Sequence, residues 1–344
     1  MVNTVQILYS YKWSIFTSSL RVAEKSGINR INSAIMNMNR PVFTGAMAIC
    51  VAATLWGLDG VVLTPQLYRL DISLVVFILH AVPFAIMNLF FYREYRYLKQ
   101  ITKEDALMLL LLSLFGGAIG TLSIVKALFL VNFKALTVVV LLQKLQPVFA
   151  IALAAILLKE KMKSNFALWS VIAIVAGYFL TFGLHKPDFS TGNNTAMAAG
   201  YSLLAAFAFG SSTVFSKKVL GRYSFSTATF YRYGITALIM MVIVALNGNI
   251  LSLPTVTRFE WMIFLLIGLT TGSGAIFLFY YGLTRTRAML ATICELCFPL
   301  SAIFFDYLFN HKILTPIQWV SAVVMIISIL NLSLQKPEDV AMRR

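Results

Sequence analysis

Seven ionisable side chains interrupt long apolar segments of this sequence and are the first candidates for chemistry. They are Asp59, His80, Lys126, Lys144, Arg232, Glu295 and Asp306. An ionised group in hydrocarbon costs at least about 2.5–3.5 kcal/mol on insertion scales, so each needs a partner, a wet cavity or a route to the interface. The pattern predicts binding of a small solute or an ion inside a bundle of apolar helices.

Lys144 and Glu295 lie nearest the middle of their segments. Each is about 4.5 Å from the midplane at 1.5 Å per residue, on opposite sides, which separates them by roughly 9 Å along the normal. We expect them to bind the carboxylate and amine ends of a zwitterionic solute, or Glu295 to exchange a proton. A structural ion pair or a water-filled crevice is the alternative.

Asp59 and Lys126 lie at matched depth, about 10–12 Å toward the predicted outer side. With Asp306 nearby they predict an extracellular gate, although snorkelling to the interface also explains Lys126. His80 and Arg232 occupy corresponding places in two halves of the chain, and we expect them to support helices.

Aromatic residues supply candidate walls for the solute. Trp56, Tyr280 and Tyr281 are predicted to offer flat surfaces or cation–π contact to an amine. Interfacial anchoring also explains the tyrosines and is the more frequent role of such residues.

Residues for metal, redox or covalent chemistry are scarce. Cys50, Cys294 and Cys297 all lie in apolar segments, and Cys294-x-x-Cys297 has no second Cys or His pair to complete a metal site. With three histidines and no Ser/His/Asp or phosphate-loop constellation, we expect no cofactor, no metal and no enzyme activity.

The composition requires the bilayer as solvent. Of 344 residues, 59% are hydrophobic and 12% charged, too apolar for a soluble fold. Ten apolar runs are each long enough to span about 30 Å of hydrocarbon. They are 42–64, 72–92, 105–130, 135–158, 166–184, 196–216, 226–247, 261–284, 288–309 and 317–334.

Basic residues set the orientation. The formal charge is +15, yet the lysines and arginines are spread between apolar runs, which argues against nucleic acid. Most fall in one set of alternating loops and in the first forty residues; the opposite set has only Arg69, Lys134, Lys186, Arg258 and Lys312. The positive-inside rule predicts cytoplasmic tails at 1–40 and 335–344, with Met36 or Met38 as alternative starts.

A displacement of 152 residues recurs along the chain. It relates Gly116-x-x-x-Gly120 to Gly268-x-x-x-Gly272, Pro147 to Pro299, Gln143 to Glu295 and His80 to Arg232, while Trp56-Gly57 matches Phe209-Gly210 at 153. The glycines permit close helix contact and the prolines kink the fourth and ninth spans. Five spans per copy is odd, so we predict two inverted five-helix repeats in an all-α membrane protein.

These residues resemble the EamA-domain branch of the drug/metabolite transporter superfamily. Pro147, Leu157-Leu158-Lys159-Glu160-Lys161, Trp169 and Gly177 are similar to the family's Pro, LGE(R/K), Gly pattern. The second copy departs from it at Asn310-His311-Lys312 and at Ile327 or Ser328. The resemblance implies repeats at 41–185 and 195–334, ten helices and alternating access.

The resemblance also implies transport of small metabolites across the inner (plasma) membrane. Amino acids or related solutes, moved outward, are the expected substrates, with protons as a candidate coupling ion and a monomer or homodimer as the assembly. Uptake of a cationic metabolite, such as a quaternary amine or nucleoside derivative, is one alternative. A non-transporting scaffold or a lipid-linked enzyme is the other.

Overall fold

The computed structural model describes residues 40–131, 139, 142–143, 145–162, 164–184, 193–311 and 315–334. The described ranges contain ten successive helical segments. They are α1 (Arg40–Leu67), α2 (Ile72–Lys99), α3 (Lys103–Leu130), α4 (Gln146–Leu157), α5 (Ser164–Phe182), α6 (Asn193–Val219), α7 (Phe225–Leu246), α8 (Arg258–Arg285), α9 (Ala288–Cys294 and Cys297–Asn310) and α10 (Pro316–Leu334).

Seven of these helices are long and apolar enough to cross a membrane, and α4, α5 and α10 are shorter apolar helices. The chain is therefore a multi-pass membrane protein. Ten crossings and the inversion of one copy stay predictions. Both tails lie outside the described residues.

Three long helices are not regular α-helices throughout. π-Helical turns interrupt α1 at Asp59–Leu63, α3 at Leu114–Ile119 and α8 at Gly268–Gly272. The turns in α3 and α8 overlap when the chain is shifted by 152 residues. Such turns often mark functional sites, because they re-aim backbone and side-chain groups.

The four glycines of the repeated pattern lie in or beside these turns, against close neighbours. A Cβ would lie 3.0 Å from Arg232 Nη2 at Gly116, 2.7 Å from Phe209 at Gly120, 3.1 Å from Pro83 at Gly268 and 2.9 Å from the Ile267 carbonyl at Gly272. A larger residue would therefore force its neighbours apart.

Helices are exchanged between the two halves of the chain. The first helix of the N-terminal half, α1, packs mainly on α8 and α9 of the other half. Its counterpart α6 packs mainly on α3 and α4, while α2 pairs with α7 and α5 with α10. This reciprocal pattern is what a two-fold related duplication produces.

Gly57 and Gly210 are at the centres of the two exchanged contacts. A Cβ on Gly57 would lie 2.8 Å from the Ala302 nitrogen and 3.0 Å from the Phe298 oxygen. A Cβ on Gly210 would lie 2.8 Å from the Gln146 oxygen and 3.0 Å from the Ala150 nitrogen. Since the contacted atoms are again 152 residues apart, the aromatic-glycine motif has the same packing role in both halves.

Two arginine–carboxylate pairs also follow the duplication. In the α8 brace, Arg69 from the α1–α2 loop donates to Glu260 through Nη2 at 2.7 Å and Nε at 3.2 Å. In the α3 brace, Arg222 from the α6–α7 loop donates to Asp105 at 2.8 Å. Both carboxylates belong to capping boxes that start their helices, with Thr257 and Thr102 as N-caps.

The α3 brace includes further polar groups. Tyr223 Oη donates to Asp105 at 3.0 Å, and Lys218 pairs with Glu104 at 2.7 Å. Hydrogen bonding to Asp105 raises the pKa of Arg222 above its ordinary value, and burial raises the pKa of Tyr223. Arg222 therefore keeps its charge, and each brace joins one half of the chain to the other.

Candidate functional site

The middle of α9 is broken at Glu295 and Leu296. Pro299 has no N–H to bond the Glu295 carbonyl, which accepts from the Phe298 nitrogen at 2.9 Å instead. In α4 the corresponding Pro147 follows a similar turn, in which Leu145 bonds the Leu142 carbonyl at 3.1 Å. Among the described residues each proline thus follows a turn, and the kinking role of both prolines stays a prediction.

The α9 break brings Glu295 against α4 and α6. Gln146 Nε2 donates to Glu295 Oε2 at 2.6 Å. The Thr213 hydroxyl lies 3.4 Å from Glu295 Oε1 and 3.2 Å from the Phe209 carbonyl, and its one proton is shared between these two acceptors. Glu295 and Gln146 keep part of their surface exposed, although their chain neighbours Cys294 and Pro147 are buried. Both residues are thus incompletely enclosed by protein where α4, α6 and α9 meet.

Arg232 forms a second polar cluster next to this site. It donates to Tyr280 Oη at 3.0 Å and to the Gly116 carbonyl at 2.9 Å, and Tyr280 Oη also bonds Ser216 at 2.8 Å. Arg232 Nε is buried without a hydrogen-bond partner among the described groups. Among the described residues Arg232 forms no ion pair with Glu295, and its hydrogen bonds go to Tyr280 and to the Gly116 carbonyl.

His80, the counterpart of Arg232, has a structural role as well. Its Nδ1 lies 2.8 Å from the Val76 carbonyl, and its ring lies 5.2 Å from that of Tyr233. Both residues thus contact helix backbone, and their supporting role stays a prediction.

The three candidate aromatic walls differ in accessibility. Trp56 is half-buried and packs on Phe279, with ring centroids 5.5 Å apart. Tyr280 has no exposed surface, so in this conformation it contacts only protein. Tyr281 stacks on the guanidinium of Arg285 at 3.6 Å.

The register between α1 and α9 places Trp56 relative to Glu295. Cys50 Sγ lies 3.9 Å from the Cys294 carbonyl, and Gly57 contacts Ser301 at the same sequence offset. Trp56 is therefore level with residue 300, about 7.5 Å along the helix axis from Glu295.

The predicted gate residues have separate partners in this conformation. Asp59 accepts from Thr64 at 3.1 Å, whereas exposed Lys126 lies 4.9 Å from the ring centroid of Tyr201. In the described part of the chain no ion pair joins Asp59 to Lys126. The side chain of Asp306 lies outside the described residues, and the gate stays a prediction.

Lys144 also lies outside the described residues, so its relation to Glu295 stays a prediction.

The sequence patterns did not point to Gln146 and Thr213, which contact Glu295 directly. Gln146 corresponds to Phe298 in the second half, so the repeat gave no signal for it. Its position beside Pro147 was the available clue.

Among the described residues no three or more His, Cys, Asp and Glu side chains group together as a possible metal site.

Comparisons with known proteins agree with the fold. The model of the EamA-like transporter family matches residues 43–183 and 196–334. The riboflavin transporter ImpX of Fusobacterium nucleatum subsp. nucleatum is 52% identical over 290 residues, which are 84% of this chain and 97% of that protein. A solved crystal structure with 15% identity superposes with a TM-score of 0.61, covering 83% of this chain and 94% of the other.

Proposed function

Since this chain belongs to the EamA-like transporter family, we propose that it carries riboflavin across the cytoplasmic membrane by alternating access. The observation that supports this substrate best is the 52% identity to a riboflavin transporter along nearly that protein's whole length. An uncharged, three-ring solute also suits an interior with one aromatic wall and a few polar groups.

In this proposal the solute binds where the α4 and α9 breaks meet. Glu295 and Gln146 make polar contacts, and half-buried Trp56 offers a flat surface for the ring system. Two inverted five-helix units, 41–185 and 195–334, rock about this site, with both termini cytoplasmic. A carrier of this type moves solute both ways, and the net direction follows the gradients, including a proton gradient if Glu295 exchanges a proton.

Amino acids and cationic metabolites are the second candidate, because an interior carboxylate attracts an amine. Unlike uncharged riboflavin, these solutes carry a cationic amine or ammonium group that would pair with the negative charge of Glu295. Excess amino acids or choline should compete with riboflavin only if they share its site.

The test is counterflow in proteoliposomes. We expect vesicles preloaded with riboflavin to accumulate labelled riboflavin saturably, without inhibition by amino acids or choline. Replacing Glu295 with Gln should lower the flux about ten- to hundredfold, the effect of losing a hydrogen bond to a charged group.

Glu104→Gln is the matched control, because it removes the same charge from an exposed pair with Lys218 and should leave flux within about twofold. Absence of riboflavin counterflow in vesicles that exchange an amino acid would refute the proposed substrate. Loading either side and imposing a pH gradient measures direction and coupling in the same vesicles.

A further inference from the structure

The Glu295–Gln146 pair presents hydrogen-bond acceptors and a donor side by side. A carboxylate has about four acceptor positions, and its contacts with Gln146 and Thr213 use at most two of them. Gln146 donates one N–H to Glu295, which leaves its second N–H and its carbonyl without a partner among the described residues. The pair therefore has spare capacity to bind a ligand at two points.

The flavin ring carries a complementary edge, an imide whose N–H lies between two carbonyls. Resting on the proposed function, we propose that Glu295 and Gln146 recognise this imide: Glu295 accepts from the ring N3–H, and Gln146 donates to an adjacent carbonyl. Side-chain amides and carboxylates read adjacent donors and acceptors on base edges in the same two-point way.

The position of Trp56 favours the imide over the ribityl chain as the group bound here. Trp56 is about 7.5 Å along the axis from Glu295, less than the length of three fused rings. A flavin with its imide on Glu295 and its rings directed along α1 would reach the level of the half-buried Trp56, which packs on Phe279. With the ribityl chain on Glu295, the rings would begin only near the level of Trp56 and would overlap less of its surface.

The backbone breaks make this recognition specific. Pro147 and Pro299 hold Gln146 and Glu295 at the start of one helix and the interruption of another, so packing of both halves fixes their spacing. A site that hydrogen-bonds a ligand N–H discriminates strongly against an analogue lacking it, because its own polar groups are left unpaired.

The test compares riboflavin with N3-methylriboflavin by fluorescence titration of the purified full-length protein. We expect methylation to weaken binding about ten- to hundredfold in the wild-type protein. In Glu295→Leu, which has no acceptor to lose, methylation should weaken binding by less than about threefold. For a flavin with a methyl group in place of the ribityl chain, N3-methylation should weaken binding by the same factors in the wild-type protein and in Glu295→Leu.

Equal binding of riboflavin and its N3-methyl derivative by the wild-type protein would overturn the imide assignment while leaving riboflavin transport standing. The same holds if removal of the ribityl chain, but not methylation, abolishes binding. No binding of riboflavin at all would refute both proposals. The wild-type comparison decides the matter even if Glu295→Leu fails to fold.

Discussion

At the scale of single residues, the Tyr280 hydroxyl joins two helices of the second half through one atom. It accepts from Arg232 on α7 and bonds Ser216 on α6, while Arg232 also reaches the Gly116 carbonyl on α3. A buried cation in a membrane protein persists only where such groups surround it.

Tyr280→Phe removes that hydroxyl and leaves Arg232 and Ser216 with fewer partners. We expect the free energy of unfolding to fall by about 1–3 kcal/mol, the cost of unsatisfied buried polar groups. Denaturant unfolding in detergent micelles measures the change.

Tyr281→Phe is the matched control one residue along. Its ring stacks on Arg285, and phenylalanine keeps that contact, so we expect a change within about 0.5 kcal/mol. Equal destabilisation by both variants would show that the Tyr280 hydroxyl has no special role.

The sequence alone identified Glu295 because a charge inside an apolar run is conspicuous. It did not identify Gln146 or Thr213, since neutral polar residues in membrane helices often bond their own backbone. Their role depends on which helices meet, and the spacing of residues within one helix does not contain that information.

At the scale of elements, the exchanged helix contacts depend on two glycines. The backbone of α9 passes next to Gly57 and that of α4 next to Gly210, in both cases one turn after the proline break. Backbone atoms cannot move aside as a flexible side chain can.

Alanine at Gly57 or at Gly210 should destabilise the protein by about 1–3 kcal/mol, as overpacking does elsewhere. The two losses of unfolding free energy should be similar, because Gly57 and Gly210 contact corresponding backbone atoms of α9 and α4. Thermal unfolding in micelles, with riboflavin counterflow measured in parallel, checks this.

Gly200→Ala serves as the control on α6, since nothing lies within 4 Å of its added Cβ. It should be neutral or stabilise the helix by about 0.5–1 kcal/mol. A Gly57→Ala protein as stable as the Gly200→Ala protein would contradict the close contact seen here.

Helix positions and proline breaks followed from apolar runs and from proline chemistry. The π-helical turns did not, because apart from Asp59 they contain the same kinds of residues as the regular helices around them. Such turns form where neighbouring helices stabilise them.

At the scale of the whole molecule, the α3 brace and the α8 brace join the halves at two equivalent places. Their carboxylates are nearly buried, at 9% and 5% exposure, while both arginines are more than half exposed. The charge alternation predicts that the two braces lie on opposite sides of the membrane.

Arg69→Ala and Arg222→Ala each remove the main cation beside a nearly buried carboxylate. We expect each to lower the unfolding free energy, Arg69→Ala by up to about 1 kcal/mol because that pair is half exposed. The double variant should lose the sum, because distant sites act independently. Arg258→Ala, which changes an exposed arginine at the α8 start, should stay within about 0.5 kcal/mol. A double variant no worse than either single would show that the braces are coupled.

The exchange of helices has a consequence for how the protein is made. Cys50 on α1 meets the backbone of Cys294, 244 residues later in the chain. At about 5–20 residues per second, α1 waits in the membrane for roughly 12–50 s before its neighbours leave the ribosome. During that interval its packing face contacts lipid or the insertion machinery, so α1 must be stable as a lone helix. A nascent chain arrested after α5 should therefore be integrated yet sensitive to membrane proteases, and protection should appear only once α9 has emerged.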